Sequence, residues 1–145
     1  METTALLKTI IVALDGSELA EQVIQTLQEL SLIDQGRIIL CHVFQIPDVG
    51  GETPADRPHP GSAEISYLQA EKLLQFFQKQ LVNTKLELVM GDPSEEIIRL
   101  ANIHQADLIV IGSRGLTGMK RIIQGSVSSQ VVEDAHCSVL VVKPK

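Results

Sequence analysis

Aromatic residues are nearly missing from this sequence. Its 145 residues include no tryptophan, one tyrosine (Tyr67) and three phenylalanines (Phe44, Phe76 and Phe77), so any core must be aliphatic. Basic residues are outnumbered, 12 Lys and Arg against 18 Asp and Glu, for a formal charge of −6. A broad nucleic-acid surface needs clustered cations and is not expected here. A small anion is not excluded by net charge, because converging backbone amides can hold one locally. There are only two cysteines, Cys41 and Cys137, with no C-x-x-C pair and no histidines at metal spacing. Both lie inside apolar, strand-like runs and are expected to be buried free thiols. The opening METTALLKTIIVALDGS has neither a basic leader nor a long apolar stretch, so it does not read as a signal peptide. No apolar run approaches the ~20 residues that cross a bilayer. The expectation is a cytoplasmic protein without membrane or nucleic-acid partners.

What remains is an ordinary globular composition, 44% apolar and 21% charged. The length fits a single domain, 1–145, that buries roughly 70% of its unfolded surface.

Five short apolar runs alternate with helical patterns, as in a parallel sheet covered on both faces. The first run, Thr9–Leu14 (TIIVAL), is continuous and β-branched, as a central strand requires. Asp15-Gly16-Ser17 breaks it. Ser17 is placed to cap a helix over about Glu18–Ser31, with Leu19, Val23, Leu27 and Leu30 at helical spacing. Arg37–Phe44 is the second expected strand. Gln45–Gly61 carries four prolines and three glycines and reads as a long surface loop. A helix over about Ala63–Val82 follows, with Ile65, Leu68, Leu73, Phe76, Phe77 and Leu81 as its apolar stripe. Lys85–Met90 is the third strand. Asp92-Pro93-Ser94-Glu95 starts a helix that runs to about His104, with an acidic cap and proline in the first position. Asp107–Ile111, a helix over about Ser126–Ala135 and the strand Ser138–Val142 complete the pattern. The expected architecture is a Rossmann-like α/β fold, with a five-stranded parallel sheet of order 3-2-1-4-5 and two helices on each face.

In open sheets of this kind, ligands bind beyond the carboxyl ends of strands whose connections diverge. Two strand ends carry suitable residues. The first strand ends at Asp15. The fourth runs into GSRGLTGMKRIIQGS (112–126), where Gly112, Gly115 and Gly118 permit sharp turns and close approach of backbone to a ligand. Gly125-Ser126 opens a helix whose free amides favour phosphate, and Lys120 and Arg121 add positive charge. The physics alone leaves two readings open, a phosphate loop or a purely structural one.

The spacing G-x2-G-x9-G-[ST], met by Gly112, Gly115, Gly125 and Ser126, resembles the nucleotide-binding signature of the ATP-binding branch of the universal stress protein family. The resemblance extends along the chain through IIVALDGSE (10–18), LCHVF (40–44), GDPSEEI (91–97), ADLIVIGSRG (106–115) and CSVLVVK (137–143). It implies that Ala13, Leu14 and Asp15 contact the nucleoside and that Val43 lies against the adenine. Ile111 and Gly112 would touch the ribose, and Gly115, Gly125, Ser126 and Val127 would hold the phosphates of ATP, ADP or AMP. Mg²⁺ or Mn²⁺ would ride on those phosphates. The family often has proline where this chain has Ala13, a mild departure if the contact there is through backbone. The resemblance also implies a homodimer through the C-terminal strand and a regulatory, stress-response role. The alternative is a slow ATPase or nucleotidyl-transfer enzyme using Asp15 and the loop.

Plainer readings stand beside these. Asp15 is also a natural turn former, and His42 reads as a packed, satisfied residue rather than a ligand. His59, His104 and His136 read as structural or solvated. No G-x-S-x-G elbow, Walker loop or dinucleotide G-x-G-x-x-G is present. A receiver-like phosphoacceptor site has thin support, since the third strand ends in Met90-Gly91 rather than in clustered acids. No catalytic residue and no protein-borne metal site is assigned.

Overall fold

Every run expected to form a strand does so. The computed structural model describes residues 7–15, 19–30, 36–45, 67–113 and 126–144. Within them the elements are β1 (Thr9–Ala13), α1 (Leu19–Glu29), β2 (Arg37–Phe44), α2 (Tyr67–Gln78), β3 (Thr84–Met90), α3 (Pro93–Ile103), β4 (Leu108–Gly112), α4 (Ser126–Asp134) and β5 (Ser138–Val142). The sheet is parallel throughout, in the order β3-β2-β1-β4-β5. This is the order expected from sequence, with β1 central and β5 at one edge. Ser17 and almost all of the proline- and glycine-rich stretch after β2 lie outside the described residues.

The period of two along each strand divides the core in two. Ile10, Val12, Ile38, Leu40, Leu108 and Val110 face α1 and α2 and pack with Val23, Leu27, Leu74 and Phe77. Ile11, Ile39, Cys41, Ile109 and Ile111 face α3 and α4 and pack with Ile97, Leu100 and Val131. The central strands are buried on both faces, which is why β1 and β4 read as unbroken apolar runs rather than alternating ones.

Three expectations about side chains need correction. The buried stripe of α2 is Ala70, Leu74 and Phe77, continued by Leu81, whereas Leu68 and Phe76 are exposed. The expected stripe omitted Ala70 and Leu74, which with Phe77 and Leu81 set the true face at i, i+4, i+7 and i+11. Leu30 is exposed because α1 ends one residue earlier, so it leaves the face formed by Leu19, Val23 and Leu27. Cys41 is a buried free thiol as expected, but Cys137, just ahead of the edge strand, is only half-buried.

The start of α3 forms as its sequence indicates. Asp92 is the N-cap; its Oδ2 accepts the Glu95 amide at 3.1 Å and the Ser94 hydroxyl at 2.9 Å. Just ahead of it, Gly91 has φ of 152°, a conformation that favours glycine, and its amide donates to the Phe44 carbonyl at 2.8 Å.

Candidate functional site

The last paired residues of β1 and β4 are Ala13 and Ile111. Beyond that pair the two chains turn to opposite neighbours. Leu14 turns toward β2, its amide donating to the Cys41 carbonyl at 2.9 Å. Ser113 turns toward β5, its amide donating to the Val142 carbonyl at 2.9 Å. A fork therefore opens at the carboxyl end of the sheet between Leu14-Asp15 and Gly112-Ser113. The chain leaves β1 for α1 on one face, while the next described helix after β4 is α4 on the other. This is the switch point at which open α/β sheets bind ligands.

The residues expected at the site sort by face. Ala13, Val43, Ile111 and Val127 all belong to the α3/α4 face. Ala13, Val43 and Val127 are only partly buried, whereas the strand residues deeper in the sheet are sealed. Together they form an apolar surface that stays partly open at the carboxyl end. Leu14 points its side chain the other way, into the α1/α2 core, so only its backbone is available to a ligand at the fork. Asp15 is half-buried at the tip of β1.

Gly112 packs against the end of the Leu19 side chain. A Cβ there would lie 2.6 Å from Leu19 Cδ2, on the α1/α2 face. The backbone of Ser126 begins α4, placing its first amides at a helix N-terminus. Gly115 and Gly125, with Arg114, Lys120 and Arg121, lie outside the described residues.

His42 is a satisfied residue, as expected, and its partner is the Leu14 carbonyl. His42 is buried, and its ring Nδ1 is 2.8 Å from the Leu14 carbonyl. A carbonyl only accepts, so Nδ1–H is the donor. The partner is the backbone of another strand, which no local sequence pattern reveals. His104, at the C-cap of α3, reaches Glu87 on β3 at 3.0 Å, and His136 is exposed.

Cys41 lies beneath the fork, and burial, with the nearby Glu87 charge, pushes its thiol from 9.0 to about 12. It stays protonated at neutral pH and supplies no thiolate nucleophile. Among the described residues no group of three or more His, Cys, Asp or Glu gathers as a metal site. No helix among the described residues is long and apolar enough to cross a membrane.

Comparison with known proteins gives a consistent picture. The universal stress protein family model matches residues 7–143. Universal stress protein MJ0531 of Methanocaldococcus jannaschii is 32% identical over 143 residues, covering 95% of this chain and 83% of that protein. Universal stress protein Sll1388 of Synechocystis is 32% identical over 150 residues, covering 92% of this chain and 96% of its own length. Among solved structures, MJ0577 superposes with a TM-score of 0.75 at 28% identity, covering 97% of this chain and 98% of that one. A universal stress protein in complex with cAMP (TM-score 0.68, 20% identity, 94% and 97% covered) shares the fold. So does one from Archaeoglobus fulgidus in complex with dAMP (0.61, 22%, 95% and 99%).

Proposed function

The chain belongs to the universal stress protein family, and from that premise we propose that it binds an adenine nucleotide, ATP or its products ADP and AMP, at the fork between β1 and β4. One observation carries the reading: the strands diverge immediately after the pair Ala13–Ile111. That divergence leaves the apolar surface of Ala13, Val43, Ile111 and Val127 partly open at the carboxyl end of the sheet. In this reading Val43 and Ala13 take the adenine, and Asp15 and the backbone of Ile111-Gly112 take the ribose. The G-x2-G-x9-G-S run ending in Ser126 takes the phosphates, with Mg²⁺ or Mn²⁺ riding on them. Two proteins of the same fold are in complex with cAMP and dAMP. Their low identity bears on the fold alone, so the reading rests on this chain's own fork and motif.

The role is regulatory. Nucleotide occupancy would bias a surface or an assembly state in a cytoplasmic, stress-responsive protein. The assembly would be a homodimer that pairs the β5 edges.

Isothermal titration with ATP and magnesium is the test. Saturable binding is expected, and Gly115→Val with Gly125→Val should abolish ATP binding while the fold persists. Absence of any binding at millimolar nucleotide would sink the proposal. Multiple-turnover assays should show hydrolysis well below the ~1–10³ s⁻¹ usual for enzymes; turnover in that range would replace the switch with a catalyst.

A further inference from the structure

Leu14 closes the β1 ladder with its amide, on Cys41, but its carbonyl is taken by a side chain, His42, 28 residues further along the sequence. Amide and carbonyl of one strand residue point to the same side, so both groups of Leu14 face β2. The peptide that follows is trans, and its N–H opposes its C=O. Holding the Leu14 carbonyl toward His42 therefore turns the Asp15 amide toward β4, into the fork. It also fixes the direction from which the Asp15 side chain departs.

The imidazole is itself held. The Phe44 ring meets it edge-on, with centroids 4.6 Å apart and planes at 78°. Tyr67, the first residue of α2, stacks on Phe44 at 5.5 Å and 18°. Edge-to-face and stacked contacts of this kind fix ring orientation. A chain of three rings thus runs from the start of α2 to the carbonyl at the end of β1. Any apolar side chain would fill the space at position 42. Only one with a donor at the Nδ1 position satisfies a carbonyl that is costly to leave unpaired.

We infer that His42 is a positioning residue for nucleoside recognition: its Nδ1–H holds the Leu14 carbonyl so that the Leu14–Asp15 peptide and the Asp15 carboxylate are presented to the ribose end of the ligand. This rests on the nucleotide reading above. It assigns His42 no contact with the ligand itself.

The test uses His42→Asn, whose side-chain amide places a donor near the Nδ1 position, and His42→Leu, which keeps bulk and loses the donor. Adenosine, AMP and ATP with magnesium are titrated against the wild type and both variants. Leu is expected to weaken all three ligands by a similar factor, about 10-fold or more, while Asn stays within about 3-fold of wild type. The uniform loss is the signature, since damage at the phosphate end would spare adenosine. Wild-type binding with an undiminished Leu variant overturns the positioning role and leaves the nucleotide reading standing. So does equal loss in Asn and Leu, because the donor would then be irrelevant. No binding by the wild type overturns the nucleotide reading itself. If the Leu variant does not fold, the Asp15 amide resonance of the Asn variant decides. A wild-type-like shift and ligand response support the role, and a displaced resonance with intact affinity overturns it.

Discussion

Asp107 and Thr9 grip each other at both ends of their hydrogen-bonding capacity. The Asp107 carboxylate accepts the Thr9 amide at 3.0 Å, and the Asp107 amide donates to the Thr9 carbonyl at 2.8 Å. The same Oδ2 takes the Lys8 amide at 2.9 Å. This clamp joins the start of β4 to the start of β1, at the opposite end of the sheet from the fork. Asp107→Ala leaves those amides without their acceptor and is expected to cost about 1–3 kcal/mol in urea unfolding. Asp107→Asn, which keeps an acceptor, should cost less. Nucleotide affinity should not change in either variant, and a parallel loss of affinity would refute this separation of roles.

A methyl group at Gly112 would force the Leu19 side chain to move, because the added Cβ would meet Leu19 Cδ2 at 2.6 Å. Gly112→Ala is expected to destabilise by about 1–3 kcal/mol through overpacking. Leu19→Ala in the same chain would make room, so the pair should be less damaging than the sum of its members in a double-mutant cycle. Strict additivity would show that the glycine is required for some other reason.

The thiol of Cys41 gives the fold an alkaline limit. Its folded value is raised from 9.0 to about 12, chiefly by burial, so the unfolded chain loses this proton first. Between those values the unfolded state binds fewer protons than the native state, and stability falls as pH rises. Stability contributed by the protonated thiol is therefore present below 9 and lost progressively toward about 12. Cys41→Ala should flatten that part of the profile despite its cavity cost. A wild-type curve with the same alkaline slope as Cys41→Ala would remove Cys41 as the cause.

The outer side of β5 can be mapped from one bond. Val142 accepts from Ser113 of β4, so Val142 and Leu140 direct their backbone groups inward, and Val139 and Val141 direct theirs to the open edge. Proline at 139 removes an outward amide without breaking a bond to β4. Wild-type protein is expected to sediment as a dimer and Val139→Pro as a folded monomer. A variant that remains dimeric would place the interface elsewhere.

The central strands, and the fork between them, were legible for the same reason. β1 and β4 are buried on both faces and carry their apolar character without interruption, and each run ends in residues that break a strand, Asp15-Gly16 and Gly112-Ser113. The face of α2 was not legible, because the run Leu73-Leu74-Gln75-Phe76-Phe77 sets large apolar residues side by side on different faces, of which only Leu74 and Phe77 are buried, and the small Ala70 that completes their face carries little hydrophobic signal. His42 was visible as a polar residue in an apolar strand, and reading it as satisfied was correct. Its particular role depends on a carbonyl brought near only by strand pairing, and pairing is a property of the fold rather than of any window of sequence.

The central place of β1 also sets the difficulty of assembling the molecule. Its link to β2 is bridged by His42 and Leu14, 28 residues apart, while its link to β4 is bridged by Asp107 and Thr9, 98 apart. Closing the longer loop costs about 1 kcal/mol more in chain entropy. Contacts of that separation are also the slow ones in folding. The fork therefore does not exist in a chain that has paired only β1, β2 and β3; it appears when β4 docks. A ligand held there is bound by residues from both sides of the β1–β4 seam, so its free energy of binding counts toward keeping that seam closed.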